Sequence, residues 1–236
     1  MTGTTRRVAA PKLPHVKRLS RSFFERDPVV VAPQLLGKLL WRDGLVARIV
    51  EVEAYRGSSD AASHAFKGKT ARNATMFGPP GHLYVYFTYG MHYCANIVCW
   101  PEDEPGAVLL RALAPLSGLD EMAARRCGCR QGSVGRQSGL EDGGAPQHRH
   151  RLWRPEELCS GPAKLCQAFD LDRSADGYDL ISGHDNVVLL DDGTRPPEEP
   201  SAGTRIGLAK NCAARDELWR WWVPGDPSVS GRRLGR

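Results

Sequence analysis

The alternation of apolar and polar positions predicts, as its clearest element, a hairpin of two strands. Leu39-Leu40-Trp41 runs into Asp43-Gly44, a strong signal for a tight turn, and residues 45–55 then indicate the returning strand. A side-chain period of two divides this strand into two faces. One face should hold Val50, Val52 and Ala54, and the other should hold Ile49, Glu51, Glu53 and Tyr55.

A second hairpin is predicted further along the chain. Leu83 to Thr88 and His92 to Cys99 are rich in β-formers and are separated by Tyr89-Gly90-Met91, which places Tyr89 near a tight tip. Another strand is predicted at Ala107 to Leu113. Before this hairpin, residues 56–82 contain too many glycines and prolines for regular structure. We expect a long irregular excursion there, of the kind that often carries function.

Helices are fewer than strands in this pattern. Asp27-Pro28 is a typical helix N-cap followed by proline in the first turn, and further helices are predicted from Ser117 to Arg126 and from Pro162 to Phe169. Short strands are predicted at Asp185 to Leu190 and at Arg205 to Leu208. Because strands and helices do not alternate regularly, the pattern indicates an α+β fold and not a doubly wound parallel sheet.

The ends of the chain and one internal segment differ from the rest in composition. The N terminus is basic without acidic residues, which predicts a disordered tail over residues 1–19 ahead of a core domain at 20–224. Residues 127–150 have almost no apolar periodicity and predict a mobile insertion. Residues 225–236 predict a frayed, basic C-terminal tail.

Charge and hydropathy add broad limits. The 236 residues carry 32 Lys and Arg against 27 Asp and Glu, and the net charge of +5 fits a polyanionic partner but also many ordinary proteins. No apolar stretch of about 18 residues predicts a membrane span, and no secretory signal is evident. We therefore expect a soluble intracellular protein that has no membrane partner.

Cysteine spacing and glycine motifs argue against common cofactor sites. The seven cysteines include no CxxC pair, which favours reduced thiols over a disulfide framework. Cys127 and Cys129 with His148 and His150 could form a zinc site, but the CxC spacing is unusual for one. Without a GxGxxG motif or a P-loop, a dinucleotide or nucleotide triphosphate has no support.

Three polar residues in apolar strands are the first candidates for chemistry. Glu51 and Glu53 share a predicted face; exposure to solvent, with or without a salt bridge, is favoured for Glu51, whereas Glu53 precedes the irregular loop and is favoured as functional. Arg111 lies in an apolar strand and would need an anionic partner if buried, for which Glu53 is suitable. Asn96 would either face water or make a specific hydrogen bond.

Aromatic residues are the second group. Tyr84, Tyr86 and Tyr93 could simply pack across strands, the usual position of strand aromatics. Tyr89 has the opposite parity from Tyr86 and lies at the turn, where burial is difficult. An aromatic side chain there can unstack bases, so packing and DNA intercalation remain equal alternatives. His64 in its loop is either polar surface or part of a site.

At these residues the sequence resembles the alkyladenine (3-methyladenine, methylpurine) DNA glycosylase family. The similar segments keep their order over about residues 20–224. They are Arg26-Asp27-Pro28, Leu35 to Lys38, Val52 to Tyr55, Ala61 to His64, Arg72-Asn73, Met76-Phe77, Gly81 to Asn96, Leu109 to Leu113, Ser160 to Cys166 and Thr204 to Gly207.

The resemblance implies a single compact α+β domain with a curved antiparallel β-sheet, surrounding helices and a protruding β-hairpin that enters the minor groove. It implies hydrolysis of the bond between an altered purine and deoxyribose, initiating base excision repair. The implied partner is double-stranded DNA containing damaged purines, bound by a monomer in the cytoplasm or nucleoid, or in the nucleus of a eukaryote. No metal, cofactor or lysine chemistry is implied, so strand cleavage is not expected.

The resemblance also implies roles for individual residues. Glu53 is the general base, Arg111 holds Glu53 and the attacking water, and Tyr89 fills the gap left by the extruded nucleotide. The base pocket should be lined by Tyr55, His64 and Tyr86, with Asn96 screening the exocyclic substituents of the purine. Arg72 and Lys164 are candidates for contacts to the DNA backbone, although Lys164 could equally be an ordinary surface lysine.

Two other functions are compatible with parts of this sequence. The tyrosine hairpin and the basic tail could belong to a nucleic-acid-binding module without catalysis, in which Glu53 is structural. A glycoside hydrolase could use Glu51 and Glu53 as its carboxylate pair. That alternative is disfavoured because neighbours on one strand face cannot readily flank a scissile bond from opposite sides.

Overall fold

One antiparallel sheet organises the computed structural model, which describes residues 16–128 and 153–231. Its nine strands are β1 (Lys17–Arg18), β2 (Leu39–Arg42), β3 (Leu45–Tyr55), β4 (Leu83–Thr88), β5 (His92–Cys99), β6 (Gly106–Ser117), β7 (Val187–Asp191), β8 (Ser201–Gly203) and β9 (Arg220–Trp222). The main path runs β1-β7-β2-β3-β6-β5-β4, and β9 pairs with both β3 and β8. The sheet curls into a half-barrel, which confirms the expected α+β fold with a curved antiparallel sheet.

The described part of the chain contains four α-helices: α1 (Arg21–Phe24), α2 (Pro28–Leu35), α3 (Leu119–Cys127) and α4 (Pro162–Ala168). The start of α2 is as predicted, because the Asp27 carboxylate accepts a hydrogen bond of 2.9 Å from the backbone N–H of Val29. The main core forms where α2 and α4 cover one face of the sheet, with buried Leu35 and Leu165 packed among strand residues such as Leu110. None of the helices in these segments is long and apolar enough to cross a membrane.

Bulges between β3 and β6 determine which side chains point away from the main core. Two register shifts flank the pair Glu51–Ala112, with Val50 as the extra residue on β3 and Arg111 as the extra residue on β6. A bulge moves the following side chains to the opposite face of a strand. The two shifts therefore place Glu51, Glu53 and Arg111 together on the face opposite the main core.

The bulge at Val50 overturns part of the predicted strand pattern. Ile49 packs in the main core with Val52 and Ala54, whereas Val50 packs on the other face against Val229. The predicted faces were therefore wrong for Ile49 and Val50 and right from Glu51 onwards. Strict alternation does not anticipate an extra residue in a strand.

Most other predicted elements are present, with three differences. Residues 205–208 form an irregular loop and not a strand, and the short strands β8 and β9 were not predicted. Helix α3 begins at Leu119 after Gly118, which has a φ of +79°, so Ser117 ends β6 and does not cap the helix. Strands β4 and β5 pair with Thr88 opposite His92, but whether this pair protrudes into DNA stays a prediction.

The predicted tails are partly ordered. Residues 17–18 of the expected N-terminal tail pair with β7, and Ser228, Val229 and Ser230 of the expected C-terminal tail are buried. The prediction of disorder was therefore wrong for these residues, because backbone pairing and apolar packing hold them. Residues 1–15, 129–152 and 232–236 lie outside the described part of the chain, and with them most of the predicted insertion.

Two glycines in the left-handed region allow a test of this packing. A Cβ at Gly57, φ +58°, would overlap the carbonyl oxygen of Pro105, whereas a Cβ at Gly44, φ +88°, would meet nothing within 4 Å. We expect Gly44→Ala to lower the free energy of unfolding by about 1–2 kcal/mol, because alanine is strained in this backbone conformation. Gly57→Ala should lower it clearly more, because the added Cβ also overlaps Pro105. Chemical denaturation of both variants measures the difference; equal losses would contradict the close packing at Gly57.

Candidate active site

A fully buried carboxylate lies at the end of β3. The Glu53 Oε1 atom accepts a hydrogen bond of 2.8 Å from the backbone N–H of Ile206 and lies 3.0 Å from Nη1 of Arg111. Its Oε2 atom accepts a hydrogen bond of 2.8 Å from the Tyr55 hydroxyl. A buried charge is tolerable only with such partners. The predicted contact between Arg111 and Glu53 is thus confirmed.

Arg111 also contacts the second glutamate of β3. Its Nε donates to Glu51 Oε1 at 2.9 Å, and Nε of Arg220 donates to the same oxygen at 2.7 Å. Burial would raise the pKa of Glu51, but Arg111, Ser230 and Arg220 outweigh it, so this pKa is lowered. Exposure of Glu51 to solvent was therefore the wrong interpretation, because the side chain is fully buried. The salt bridge that was considered together with exposure is present.

A cavity of about 340 Å³ opens beside this charge cluster. Its lining includes seven of the residues singled out from the sequence, namely Tyr55, His64, Tyr84, Tyr86, Tyr89, Asn96 and Arg111. Glu53 is not itself in the lining, but Tyr55, Arg111 and Ile206, which contact its carboxylate, all are. The volume is at the lower end of the range of about 300–1,000 Å³ for small-molecule sites, which suits one ring system.

Aromatic rings form one wall of the cavity. The His64 and Tyr86 rings meet edge to face with centroids 4.4 Å apart, and His64 Nδ1 lies 3.0 Å from the Tyr84 hydroxyl. Partial burial lowers the pKa of His64, and the charge of Arg72 lowers it further. Burial raises the pKa of Tyr84 to about 12. The wall thus offers a neutral imidazole and phenol rings to a flat ligand.

The amide of Asn96 is fixed within the cavity lining. This side chain is buried, and its Nδ2 donates to the carbonyl of Tyr84 at 3.1 Å. The specific hydrogen bond that the sequence left open is therefore present. An amide has further donor and acceptor capacity, so Asn96 can contact the edge of a ring that enters the cavity.

The exposed turn between β4 and β5 lies at the same cavity. Tyr89 is 79% exposed and has a φ of +51°, a conformation that residues other than glycine seldom adopt. Met91 beside it is 67% exposed. Tyr89 contributes to the cavity lining, so an aromatic side chain available for stacking lies at the cavity itself.

The two candidates for DNA backbone contacts lie outside the cavity lining. Arg72 donates to the carbonyl of Phe87 at 3.0 Å, and its guanidinium carbon is 6.0 Å from the centroid of the Tyr86 ring. Lys164 donates to the Ser160 hydroxyl at 3.1 Å. Their roles toward DNA stay predictions.

A buried ion pair behind Tyr55 was missed at the sequence level. Arg205 and Asp60 have fully buried side chains and form a bidentate pair, and Arg205 also donates to the carbonyl of Ala54 at 3.0 Å. The guanidinium carbon lies 4.7 Å from the centroid of the Tyr55 ring. The pair links the end of β3 to the loop that carries Ile206. Its members are 145 positions apart, and no local pattern joins them.

No group of three or more His, Cys, Asp or Glu side chains within residues 16–128 and 153–231 is placed to hold a metal. Three members of the zinc site considered from the sequence, Cys129, His148 and His150, lie outside those residues.

Comparison with known proteins gives one consistent family. The family model described as methylpurine-DNA glycosylase (MPG) matches residues 22–227. A protein of Burkholderia lata is 48% identical over 223 residues, 94% of this chain and 95% of the relative. Proteins of Streptomyces avermitilis and Chlorobaculum parvum are 41% and 42% identical, over 91% and 93% of this chain and 92% and 94% of those relatives. All three carry the name "Putative 3-methyladenine DNA glycosylase".

The lowered pKa of His64 can be measured directly. We expect an NMR titration to place the His64 pKa below its ordinary value of 6.5, since burial and Arg72 both disfavour the imidazolium. Arg72→Gln should raise this pKa part of the way by removing the second cause. A His64 pKa at or above 6.5 in the unaltered protein would contradict this environment.

Proposed function

This chain belongs to the methylpurine-DNA glycosylase family, and from that premise we propose that it flips alkylated or deaminated purines out of duplex DNA and hydrolyses their N-glycosidic bonds with a water activated by Glu53. Family membership makes it an enzyme, a hydrolase of N-glycosyl bonds that acts on alkylated purines in DNA. The observation that carries the finer proposal is the buried Glu53 carboxylate, contacted by three groups of the cavity lining.

Recognition of the base follows from the aromatic wall. Alkylation at a ring nitrogen gives a purine a positive charge, and aromatic faces attract cations. Tyr55, Tyr86 and the neutral His64 would therefore bind a charged purine in preference to an ordinary one. Asn96 would contact the purine edge and screen its exocyclic substituents.

The geometry of Glu53 favours one place for the attacking water. A carboxylate oxygen can accept about two hydrogen bonds. Oε1 already faces both the N–H of Ile206 and Arg111, whereas Oε2 accepts from the Tyr55 hydroxyl. We therefore assign the water to Oε2. Because Glu53 is fully covered, access requires a shift of Tyr55 or of the loop carrying Ile206, a residue that is 45% exposed.

Charge then favours the reaction. Arg111 places a positive charge 3.0 Å from the buried Glu53 carboxylate, and this carboxylate takes the proton of the water as the water attacks the sugar carbon. General base assistance of this kind contributes about 10²–10⁴ in rate. The same negative charge stabilises the positive character that develops on the sugar as the purine leaves.

A monofunctional reaction fits the same site. Base release by water leaves an abasic site and needs no amine nucleophile. Lys164, a family-motif lysine, contacts Ser160 and is not part of the cavity lining. We therefore propose that a monomer bound to damaged double-stranded DNA, in the cytoplasm or nucleoid of a bacterium or in a eukaryotic nucleus, initiates base excision repair without cutting the strand.

The test of the proposed function is excision by the unaltered protein and by Glu53→Gln. On methylated duplexes and duplexes containing hypoxanthine, the unaltered protein should form abasic sites under single-turnover conditions. Glu53→Gln keeps the size of the side chain but cannot accept a proton, so we expect a loss of about 10²–10⁴-fold with binding to lesion duplex retained.

Glu121→Gln is the matched control, since Glu121 lies on α3 and pairs with Arg125 at the surface. Equal excision by Glu53→Gln and the unaltered protein would contradict the role of Glu53. Binding of lesion duplex without any excision by the unaltered protein would favour the non-catalytic nucleic-acid-binding module.

Tyr89 should act before the chemical step. We expect Tyr89→Ala to reduce the stability of the flipped state, measured by stopped-flow fluorescence of a base analogue, more than it reduces the excision rate from a single-stranded or already extruded base. The reason is that unstacking costs a few kcal/mol that an inserted side chain can offset. Phe87→Ala, on the exposed part of β4, is a control. A larger effect on the extruded substrate would count against intercalation.

A further inference from the structure

Residues 226–231, which we call the C-terminal segment, run against the charge cluster of the active site. We propose that Ser230 in this segment is a positioning residue, which holds the Arg111 guanidinium against Glu53 and thereby sets the rate of the chemical step. The inference rests on the proposed function, in which Arg111 supports the Glu53 base.

Ser230 contacts both members of the second ion pair. Its backbone N–H donates to Glu51 Oε2 at 2.6 Å, and its hydroxyl donates to Glu51 Oε1 at 2.9 Å. The same hydroxyl oxygen accepts from Nη2 of Arg111 at 3.1 Å. Ser230 is 8% exposed, so these bonds are largely screened from water. One serine therefore ties the chain end to β3 and to β6.

The guanidinium of Arg111 has an acceptor at each of its three nitrogens. Nε bonds to Glu51, Nη1 faces Glu53, and Nη2 bonds to the Ser230 hydroxyl. A planar guanidinium group with hydrogen-bond acceptors at all three nitrogens has a defined orientation. Without the Ser230 hydroxyl, Arg111 still contacts the carboxylates of Glu51 and Glu53. Its guanidinium group can then rotate within its own plane, which changes the distance from Nη1 to Glu53.

Packing fixes the C-terminal segment where this contact requires it. Val229 is buried against Val50 and Ala112, the neighbours of Glu51 and Arg111 on the two bulged strands. The two bulges thus have two effects. They turn the charged side chains toward the cavity, and they place Val50 and Ala112 on the same face, where Val229 packs against them. This arrangement places Ser230 within reach of both charges.

The experiment compares Ser230→Ala with Ser230→Thr, which keeps a hydroxyl, and with Ser228→Ala as the matched control. Ser228 belongs to the same segment and is also buried, but its backbone N–H bonds to Asp226. Three properties are measured in the full-length protein: the single-turnover excision rate at saturating enzyme, the Kd for a duplex carrying a tetrahydrofuran abasic analogue, and the unfolding temperature. Hydrogen exchange at Nε of Arg111, assigned by its absence in Arg111→Lys, gives a readout that needs no activity.

We expect Ser230→Ala to lower the excision rate about ten-fold, the order of one hydrogen bond to a charged group, and to speed exchange at Arg111. The Kd and the unfolding temperature should stay near those of Ser228→Ala, and Ser230→Thr should recover most of the rate.

An unchanged excision rate and unchanged exchange in Ser230→Ala would overturn the proposal. So would equal losses of rate, binding and thermal stability that Ser230→Thr does not recover, because they indicate a purely structural role. Absence of excision by the unaltered protein, with exchange still accelerated in Ser230→Ala, would instead overturn the proposed function while supporting the hold of Ser230 on Arg111.

Discussion

The structure around the active site depends on the burial of two glutamates next to one shared arginine. Glu51 and Glu53 are both fully buried, and Arg111 contacts each of them. Removing a carboxylate from water costs several kcal/mol, which only close, well-oriented positive partners offset. Arg220 and Ser230 complete the set around Glu51. β3, β6, β9 and the C-terminal segment must therefore all be in place before the cluster is stable.

The two buried glutamates have different partners. Glu51 is bonded to donors from the strands and from the C-terminal segment, whereas Glu53 contacts groups that line the cavity, and for this reason we propose the chemical role for Glu53. The contacts on Glu53 come from Tyr55, from Arg111 and from the loop carrying Ile206, which Arg205 and Asp60 brace from behind. The buried charge cluster thus lies beside a cavity that is lined by the aromatic wall and by the exposed turn of Tyr89.

Much of this was predictable from local sequence. The hairpin at Asp43-Gly44, the cap of α2 at Asp27, the strand around Arg111 and the exposed position of Tyr89 each follow from signals within a few residues. The ordered motifs between about residues 20 and 224 indicated the family that the match over residues 22–227 establishes. Pairing of Glu53 with Arg111 was also anticipated, because a guanidinium in an apolar strand needs an anion.

The sequence by itself determined most of the secondary structure, the family and the main aromatic and polar residues of the cavity lining, because period, turn chemistry and motif are local properties. Only the tertiary structure decided the face of Val50, the burial of Glu51, the ion pair of Arg205 with Asp60 and the use of Ser230. Those features depend on β-bulges and on contacts between residues more than a hundred positions apart. A bulge changes which face a side chain occupies, and long-range electrostatic partners exist only once folding has brought them together.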